Sequence, residues 1–252
     1  MSQTPTPTKR ERRDAARAAR LERERHATAA DKRKRRLLQL GGLLVVAVVV
    51  VVAAIAISSG GGKSSSPKAS ATASTLFDGI PQQGITLGNP KAPVTVVEFA
   101  DPQCPFCRDY TLGQMPSLVQ KYVRTGKVKM QLRFMTFIGP DSVTAARAIE
   151  AAGLQNKLWN AADAIYANQG QENSGYVTTG FLKSTLGPIK GLDVSKALSD
   201  SSSAAVTAQL GETQTLASRY AVSSTPTFLV GKGTNLQKVP VDQLGARLAK
   251  IS

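Results

Sequence analysis

Two cysteines separated by two residues carry the most reactive side chains in the sequence. Cys104 and Cys107 enclose Pro105 and Phe106, directly after a β-branched segment and at the start of a predicted helix. The first turn of a helix has free N–H groups and the positive end of the helix dipole, which lower the pKa of a thiol below about 8.5. Pro105 suits this turn because an N–H there would have no helical partner. We expect Cys104 to be the exposed, attacking sulfur, and Cys107, one turn deeper, to resolve the mixed disulfide that forms on it.

Other uses of this cysteine pair fit the composition less well. The chain has no further cysteine and its only histidine is His26, so residues 76–252 contain no Ser-His-Asp triad, Cys-His protease site or histidine zinc site. A zinc site would need carboxylates or a second chain to complete it. A structural disulfide between these cysteines would close a very small loop, and small loops give little entropic stabilisation. The setting therefore favours thiol redox chemistry.

Two carboxylates lie close to the cysteines in the sequence. Glu98 interrupts an otherwise apolar segment a few residues before Cys104. Burial of an unpaired carboxylate is costly, so the pKa of Glu98 should rise. The alternative is that Glu98 points to a polar edge and forms an ordinary ion pair. Asp101 follows the same segment directly, and we expect it to be a surface or capping residue of the turn.

The elements that position these residues are predicted from the hydrophobic pattern. Val94–Ala100 is short, apolar and rich in β-branched residues, which indicates a buried strand, and the alternating pattern of Val128–Phe137 indicates a second strand. The helical predictions are a turn from Asp101 to Cys107 entering a helix to about Val123, two helices over Asp141–Gln169, a mainly helical region over Val177–Tyr220 with breaks at Gly187-Pro188 and Gly191, and a helix over Val241–Ile251. A strand is also predicted at Thr227–Val230, followed by a turn at Gly231-Lys232-Gly233 and a pairing strand at Leu236–Val239. This order predicts a small α/β sheet that carries a helical insertion.

Composition divides the chain into four parts. Residues 1–36 contain 13 basic and 5 acidic residues, so they hold +8 of the total charge of +15. Residues 37–57 carry no charge, residues 58–75 are rich in serine and glycine, and residues 76–252 have the length of a globular domain. We expect a basic cytoplasmic tail, a transmembrane anchor, a flexible linker and one folded domain, in that order. The tail has no aromatic residue to stack on a base, so we do not expect nucleic-acid binding.

The apolar segment Leu37–Ile57 is long enough to cross a bilayer as a helix. Its 21 residues contain one polar side chain, Gln39, and span about 30 Å. Basic residues precede it directly, which places residues 1–36 in the cytoplasm and the folded domain outside the cell membrane. A cleaved signal peptide is the alternative, because Ala54-Ile55-Ala56 has the form of a cleavage site. The apolar run, however, exceeds the usual length of about 7–15 residues for such peptides.

Three sequence motifs point to a known family. FADPQCPFC follows VTVVE, GITLGNPKAPVT precedes both, and SSTPTFLVG lies far downstream. Together they resemble the thioredoxin-fold disulfide oxidoreductases, and within these the DsbA-like proteins of the bacterial cell envelope, including membrane-tethered forms. The resemblance covers about Ile85 to Ile251 and departs from the usual phenylalanine-proline-leucine pattern at Met135–Ser142. It implies a thioredoxin-like core with a helical domain inserted at about residues 141–220.

The resemblance also implies roles for residues outside the cysteine motif. The proline at the position of Pro226 is cis in the family and lies against the active-site disulfide, so the backbone of Thr225 can pair with a substrate strand. The alternative is a trans proline at the start of an edge strand. An acidic residue at the position of Glu98 lies beneath the two sulfurs in the family and assists proton transfer to and from the deeper cysteine.

The activity implied by the resemblance is thiol–disulfide exchange with unfolded or folding exported proteins. It requires no metal and no cofactor other than the Cys104–Cys107 disulfide itself. We expect the domain to donate disulfides and a membrane quinone-linked oxidase to regenerate it. The alternatives are a thiol reductase or isomerase of the same fold, a non-catalytic peptide-binding or chaperone-like module, and a metal-binding sensor or iron–sulfur dimer.

Overall fold

The computed structural model describes residues 74–252. The predicted basic tail at 1–36, the predicted anchor at 37–57 and residues 58–73 of the predicted linker lie outside the described residues. Among the helices between residues 74 and 252, none combines the length and the hydropathy required to cross a bilayer.

A six-stranded sheet forms the centre of the domain. Its strands are β1 (Gln82–Gln83), β2 (Thr86–Leu87), β3 (Val94–Ala100), β4 (Val128–Phe134), β5 (Thr227–Lys232) and β6 (Asn235–Val239). They lie in the order β1-β2-β4-β3-β5-β6, with β3 parallel to β4 and antiparallel to β5. Every residue of β3 is buried, as its mostly apolar sequence predicts for a strand that is covered on both faces.

Helices cover both faces of this sheet. They are α1 (Pro105–Asp109), α2 (Met115–Leu118), α3 (Pro140–Gly153), α4 (Leu158–Ala167), α5 (Thr179–Leu186), α6 (Val194–Asp200), α7 (Ala204–Arg219) and α8 (Leu244–Ile251). π-Helical turns at Tyr110–Gln114 and Val119–Val123 adjoin α2, so the helical segment that begins at Pro105 reaches Val123, as predicted. The helices α3 to α7 lie between β4 and β5 and form the insertion.

Side-chain caps set the starts of three helices in this insertion. The side chains of Thr178, Asp193 and Ser203 each accept a hydrogen bond from a backbone N–H in the first turn of α5, α6 and α7. Such caps satisfy N–H groups that have no partner within the helix. The predicted break at Gly187–Gly191 is confirmed between α5 and α6, and a further break, which was not predicted, separates α6 from α7.

The second strand of the parallel pair is shorter than its alternating pattern predicts. β4 ends at Phe134 rather than at Phe137. Beyond this point the chain leaves the sheet, and the Ile138 N–H donates a hydrogen bond to the Asp101 carboxylate at 3.3 Å. Phe137 therefore lies in a loop with its side chain exposed, not within the sheet.

Two hairpins also differ from the predictions. β5 extends to Lys232, so Gly231 lies inside the strand and not in the turn. A Cβ at Gly231 would lie 1.8 Å from the Asn235 carbonyl oxygen, so glycine is required where the two strands approach this closely. The β1–β2 hairpin was not predicted, because strands of two residues are too short to show an alternating pattern.

The two faces of the sheet pack against cores of different size. Val94 and Val96 face the main core, and Val97 and Phe99 face a smaller one beneath α7. This alternation is the two-residue period of a strand with both faces buried. Cys104 and Cys107 belong to the main core, so the candidate site is built into the packed interior of the domain.

Candidate active site

The two cysteines occupy the N-terminal turn of α1. Cys104 is the N-cap residue, and Pro105 is the first residue of the helix. The Cys104 N–H donates a hydrogen bond to the carbonyl of Asp101 at 2.9 Å, which closes the turn between β3 and α1. The backbone N–H groups of Phe106 and Cys107 lie next to the Cys104 sulfur and help to lower its pKa.

Cys104 is less exposed than the sequence predicted. Its exposed fraction is 4%, against 0% for Cys107. The loop before β5 covers it, and in its protonated form the Cys104 thiol donates a hydrogen bond to the Thr225 carbonyl at 3.4 Å. The prediction of an exposed sulfur was therefore wrong, although Cys104 remains the more accessible of the pair. The outer surface of the motif is formed by Phe106, which is 72% exposed.

The environments of the two sulfurs drive their pKa values in opposite directions. The pKa of Cys104 falls to about 6, chiefly because the Cys107 thiol donates a hydrogen bond to the Cys104 thiolate. The Thr225 side chain adds a second hydrogen bond, while partial burial acts in the opposite sense. The pKa of Cys107 is raised far above its ordinary value, first by burial and then by the neighbouring Cys104 sulfur. At neutral pH the pair therefore carries one thiolate, on Cys104, and one thiol.

Glu98 lies on the main-core face of β3, with an exposed fraction of only 1%. Its cross-strand partners, Leu132 and Phe228, are both apolar, and among the described residues its Oε1 atom has no hydrogen-bond partner. Burial raises the pKa of Glu98 to about 8. The alternative of a polar edge position with an ordinary ion pair is therefore wrong. The charge of Glu98 also contributes to the raised pKa of Cys107, which places the two groups in electrostatic contact.

The peptide bond between Thr225 and Pro226 is cis, as the resemblance implied. The alternative of a trans proline at a strand edge is therefore wrong. Pro226 directly precedes β5, and the hydrogen bond from Cys104 brings the Thr225 carbonyl to the sulfur. The fold thus joins the two motifs that are far apart in the chain.

Asp101 has an exposed fraction of 0%, so the predicted surface position is wrong, whereas the alternative prediction of a residue that caps the turn agrees with its hydrogen bonds. Its Oδ1 atom accepts hydrogen bonds from the Gln103 N–H at 2.9 Å and from the Ser142 hydroxyl at 2.5 Å. Its Oδ2 atom accepts one from the Ile138 N–H. Burial raises the pKa of Asp101, and these hydrogen bonds oppose that rise. Asp101 therefore fastens the cysteine turn to the start of α3, and is not a surface residue.

Gln103, directly before the first cysteine, was missed by the sequence analysis. Its side chain accepts a hydrogen bond from the Asn173 N–H at 2.7 Å and donates one to the Ser142 hydroxyl at 2.9 Å. Both partners belong to the helical insertion, Ser142 to α3 and Asn173 to the loop between α4 and α5. A single glutamine in a turn gives no sequence signal for such a role, because its partners are distant in the chain.

Tyr166 in α4 and Gln169 just after α4 also form hydrogen bonds to the cysteine turn. Gln169 donates to the carbonyls of Pro102 at 2.9 Å and Cys104 at 3.2 Å. The Tyr166 hydroxyl donates to the carbonyl of Asp101 at 3.1 Å. Backbone carbonyls of a buried turn need such partners, since an unpaired one would be costly. The insertion therefore completes the hydrogen bonding of the active-site turn.

The sequence profile of the thioredoxin family matches residues 81–249, which is more than half of the chain. The chain belongs to the thioredoxin family. Among curated proteins it is similar to the probable disulfide bond formation protein D of Bacillus cereus, with 40% identity over 101 residues that cover 39% of this chain and 47% of that protein. The chain thus spans about half the length of the curated relatives it matches.

The domain also resembles solved structures, and each of these similarities covers nearly the whole length of the compared protein. A thioredoxin-like oxidoreductase from Silicibacter pomeroyi DSS-3 has 30% identity and a TM-score of 0.53, covering 70% of this chain and 95% of that one. Oxidised BdbD from Bacillus subtilis has 23% identity and a TM-score of 0.58, covering 68% and 96%, which supports the fold alone. These matches confirm the resemblance to DsbA-like thioredoxin-fold oxidoreductases.

Replacing Glu98 with Gln should stabilise the oxidised protein, and the gain should grow with pH. The pKa of Glu98 is about 8 when folded and 4.5 ordinarily, so the unfolded chain loses this proton first. Stability therefore falls as the pH rises between these two values, and the loss reaches about 5 kcal/mol above about pH 8.5. Thermal unfolding of both proteins across this range measures the gain. A stability difference between the two proteins that does not change with pH would contradict a protonated Glu98 in the folded state.

Removing Cys107 should raise the pKa of Cys104. The hydrogen bond from the Cys107 thiol is the largest cause of the low Cys104 pKa of about 6, so the alkylation midpoint of the reduced wild type should lie near that pH. In Cys107→Ala the midpoint should move toward about 8.5. The rate of iodoacetamide alkylation as a function of pH is the measurement. Cys107→Ser, which keeps a hydroxyl donor, is the matched control and should give an intermediate midpoint.

Proposed function

We propose that this protein is a thiol–disulfide oxidoreductase that donates disulfides to exported proteins through Cys104 and Cys107. The observation that carries the proposal is the contrast between the two sulfurs, one with a pKa of about 6 and one with a strongly raised pKa. A thiol with a low pKa is a thiolate at neutral pH and also a good leaving group. The names of the curated relatives and of the Silicibacter structure support the same class of activity.

In the donating direction, a substrate thiolate attacks the Cys104 sulfur of the oxidised pair. The Cys104–Cys107 bond breaks, and Cys107 leaves as a thiolate that takes the proton held by Glu98 at neutral pH. A second substrate thiolate then attacks the substrate sulfur of the mixed disulfide, and Cys104 leaves as a stable thiolate. Two electrons pass from the substrate thiols to the cysteine pair, and the substrate leaves with one new disulfide.

The stabilised Cys104 thiolate favours the donor role over the reductase role. Any interaction that stabilises the reduced form makes the disulfide a stronger oxidant. The exposed Phe106 side chain offers no hydrogen bond to the sulfur, unlike the histidine that strong oxidants of the DsbA-like group carry there. The pair should therefore have a reduction potential between about −120 mV, as in DsbA, and about −270 mV, as in thioredoxin.

Substrate chains are proposed to approach the site between Phe106 and the Thr225 loop. Phe106 offers a large exposed apolar surface beside Cys104, which suits the apolar side chains of unfolded proteins. The backbone of Thr225, directly before β5, is placed to hydrogen-bond an extended substrate segment. Recognition of backbone and of general apolar surface would allow many different exported proteins to react.

The extracytoplasmic location and the regeneration step are part of the same proposal. The charge asymmetry around Leu37–Ile57 supports a single-pass anchor with residues 1–36 in the cytoplasm and residues 76–252 outside. Disulfides persist in that compartment. A tether would also hold the domain near a membrane quinone-linked oxidase, which would reoxidise the pair after each donation.

Equilibration of the full-length chain with glutathione buffers tests the activity and its direction. A potential between those of DsbA and thioredoxin is expected, together with oxidation of a reduced peptide that contains two cysteines. Replacement of Cys104 with Ala should abolish the oxidation. A potential at or below that of thioredoxin, with the pair reduced in cells, would indicate a reductase. Absence of exchange with glutathione and with the peptide would indicate a non-catalytic binding module.

The proposed topology predicts an asymmetric response to external protease. In intact spheroplasts, the protease should digest residues 76–252 and spare an epitope tag fused to the N-terminus, because only the folded domain faces outward. Immunoblots against the tag and against the domain are the readout. Lysed spheroplasts, in which both are digested, are the control. Protection of the domain in intact spheroplasts would refute the proposed orientation.

A further inference from the structure

Tyr110 lies next to the buried carboxylate that serves the cysteine pair in the proposed function. It follows Cys107 by three residues, so the two side chains lie on the same face of the helix. The Tyr110 ring packs on Phe228, with 4.6 Å between the ring centroids. Phe228 is the direct cross-strand partner of Glu98, and such partners point to the same face of a sheet. Helix and sheet thus bring Cys107, Tyr110 and Glu98 together.

Between residues 74 and 252, the polar groups of Tyr110 and Glu98 are both buried without a hydrogen-bond partner. Among the described residues, the Tyr110 hydroxyl and the Glu98 Oε1 atom are buried and have no hydrogen-bond partner. Tyr110 has an exposed fraction of 2%, and Glu98 of 1%. Buried polar groups in folded proteins are almost always paired, either directly or through an internal water, since an unpaired one costs about 1–3 kcal/mol. A hydroxyl that can donate and a carboxylate that can accept are complementary.

Tyr166, the other tyrosine beside the site, is not a candidate donor to Glu98. The Tyr166 hydroxyl already donates its proton to the carbonyl of Asp101 at 3.1 Å. The charge of Glu98 raises the pKa of Cys107 and Tyr110 on the helical segment and of Tyr166 on α4. The cross-strand neighbours of Glu98 on β4 and β5 are apolar. Burial and the charge of Glu98 both raise the pKa of Tyr110, so its hydroxyl keeps its proton and acts as a donor.

We propose that Tyr110 is a positioning residue that donates a hydrogen bond, through one internal water, to the Glu98 carboxylate. The inference rests on the proposed thiol–disulfide exchange. When Cys107 leaves as a thiolate and takes the Glu98 proton, Glu98 becomes a buried anion, and the Tyr110 hydrogen bond stabilises that anion. Tyr110 itself loses no proton, so one proton moves from Glu98 to Cys107 and the charge moves from sulfur to carboxylate. The reverse transfer restores the starting state.

Tyr110→Phe is a selective test, because it removes the hydroxyl and keeps the ring that packs on Phe228. The loss of a donor to the charged form should raise the pKa of Glu98, by about one pH unit for a hydrogen bond to a charged group. Carbon-13 NMR titration of the side-chain carboxyl in purified, oxidised full-length protein measures this pKa directly. The Glu98 signal is assigned by its loss in Glu98→Gln. Tyr122→Phe, a buried tyrosine further along the same helical segment, is the matched control and should leave the titration unchanged.

A kinetic arm separates action through Glu98 from a general structural effect. The proposed donor reaction needs protonated Glu98, so its alkaline limit should move upward in Tyr110→Phe by the same interval as the Glu98 titration. In the Glu98→Gln background, Tyr110→Phe should have no further effect on the pH profile, because the group it acts through is gone. An equal effect in both backgrounds would overturn the inference and assign Tyr110 a packing role.

The two proposals can fail separately. The NMR titration requires no turnover, so it reports on Tyr110 and Glu98 even if the protein exchanges no disulfides. An unchanged Glu98 titration in Tyr110→Phe would overturn the role of Tyr110 and leave the proposed oxidoreductase activity intact. A shifted titration in a protein that fails to oxidise the peptide would retain the hydrogen bond and refute the activity.

Discussion

The arrangement of this site depends on the cost of burying negative charge. The main core surrounds two thiols, a carboxyl and two phenols, and burial raises the pKa of four of these five groups: Cys107, Glu98, Tyr110 and Tyr166. Only the Cys104 sulfur has a lowered pKa, because hydrogen bonds and the start of a helix stabilise its thiolate. This single favoured position for negative charge supports the proposed roles of Cys104 as the attacking sulfur and Cys107 as the resolving sulfur.

The Cys104 thiolate also depends on its neighbour Glu98 being uncharged at neutral pH. If Glu98 were ionised at rest, its charge would oppose a thiolate at either cysteine. With a pKa of about 8, Glu98 holds a proton at neutral pH and remains able to release it. The carboxyl can therefore give its proton to Cys107 at the step of the proposed exchange in which Cys107 leaves as a thiolate.

The helical insertion contributes to the site through hydrogen bonds rather than through reactive groups. Ser142, Gln169 and Asn173 bind the backbone and side chains of the turn that carries Cys104. A loop at the end of a strand is ordinarily the more mobile part of a fold. Here Asp101 and Gln103 are buried and hydrogen-bonded to the insertion, so packed elements hold the cysteine turn in place.

The placement of Phe106 separates recognition from chemistry. The motif dipeptide turns one large apolar side chain outward while both sulfurs stay in the core. In the proposed function, a substrate would contact this apolar surface and the Thr225 loop before its thiolate reaches Cys104. The low exposure of Cys104 fits this proposed order of contacts.

Local patterns in the sequence determined the reactive parts of this protein. The CxxC spacing, the proline after Cys104 and the β-branched run from Val94 predict a buried strand that ends in a helix N-terminus, because each property involves neighbouring residues. The burial of Glu98 follows from its apolar neighbours in the same way. Only the tertiary structure decided the burial of Asp101, the role of Gln103 and the partial covering of Cys104. Each of these depends on a contact between residues 41 to 121 positions apart, and the pattern within one segment holds no information about such partners.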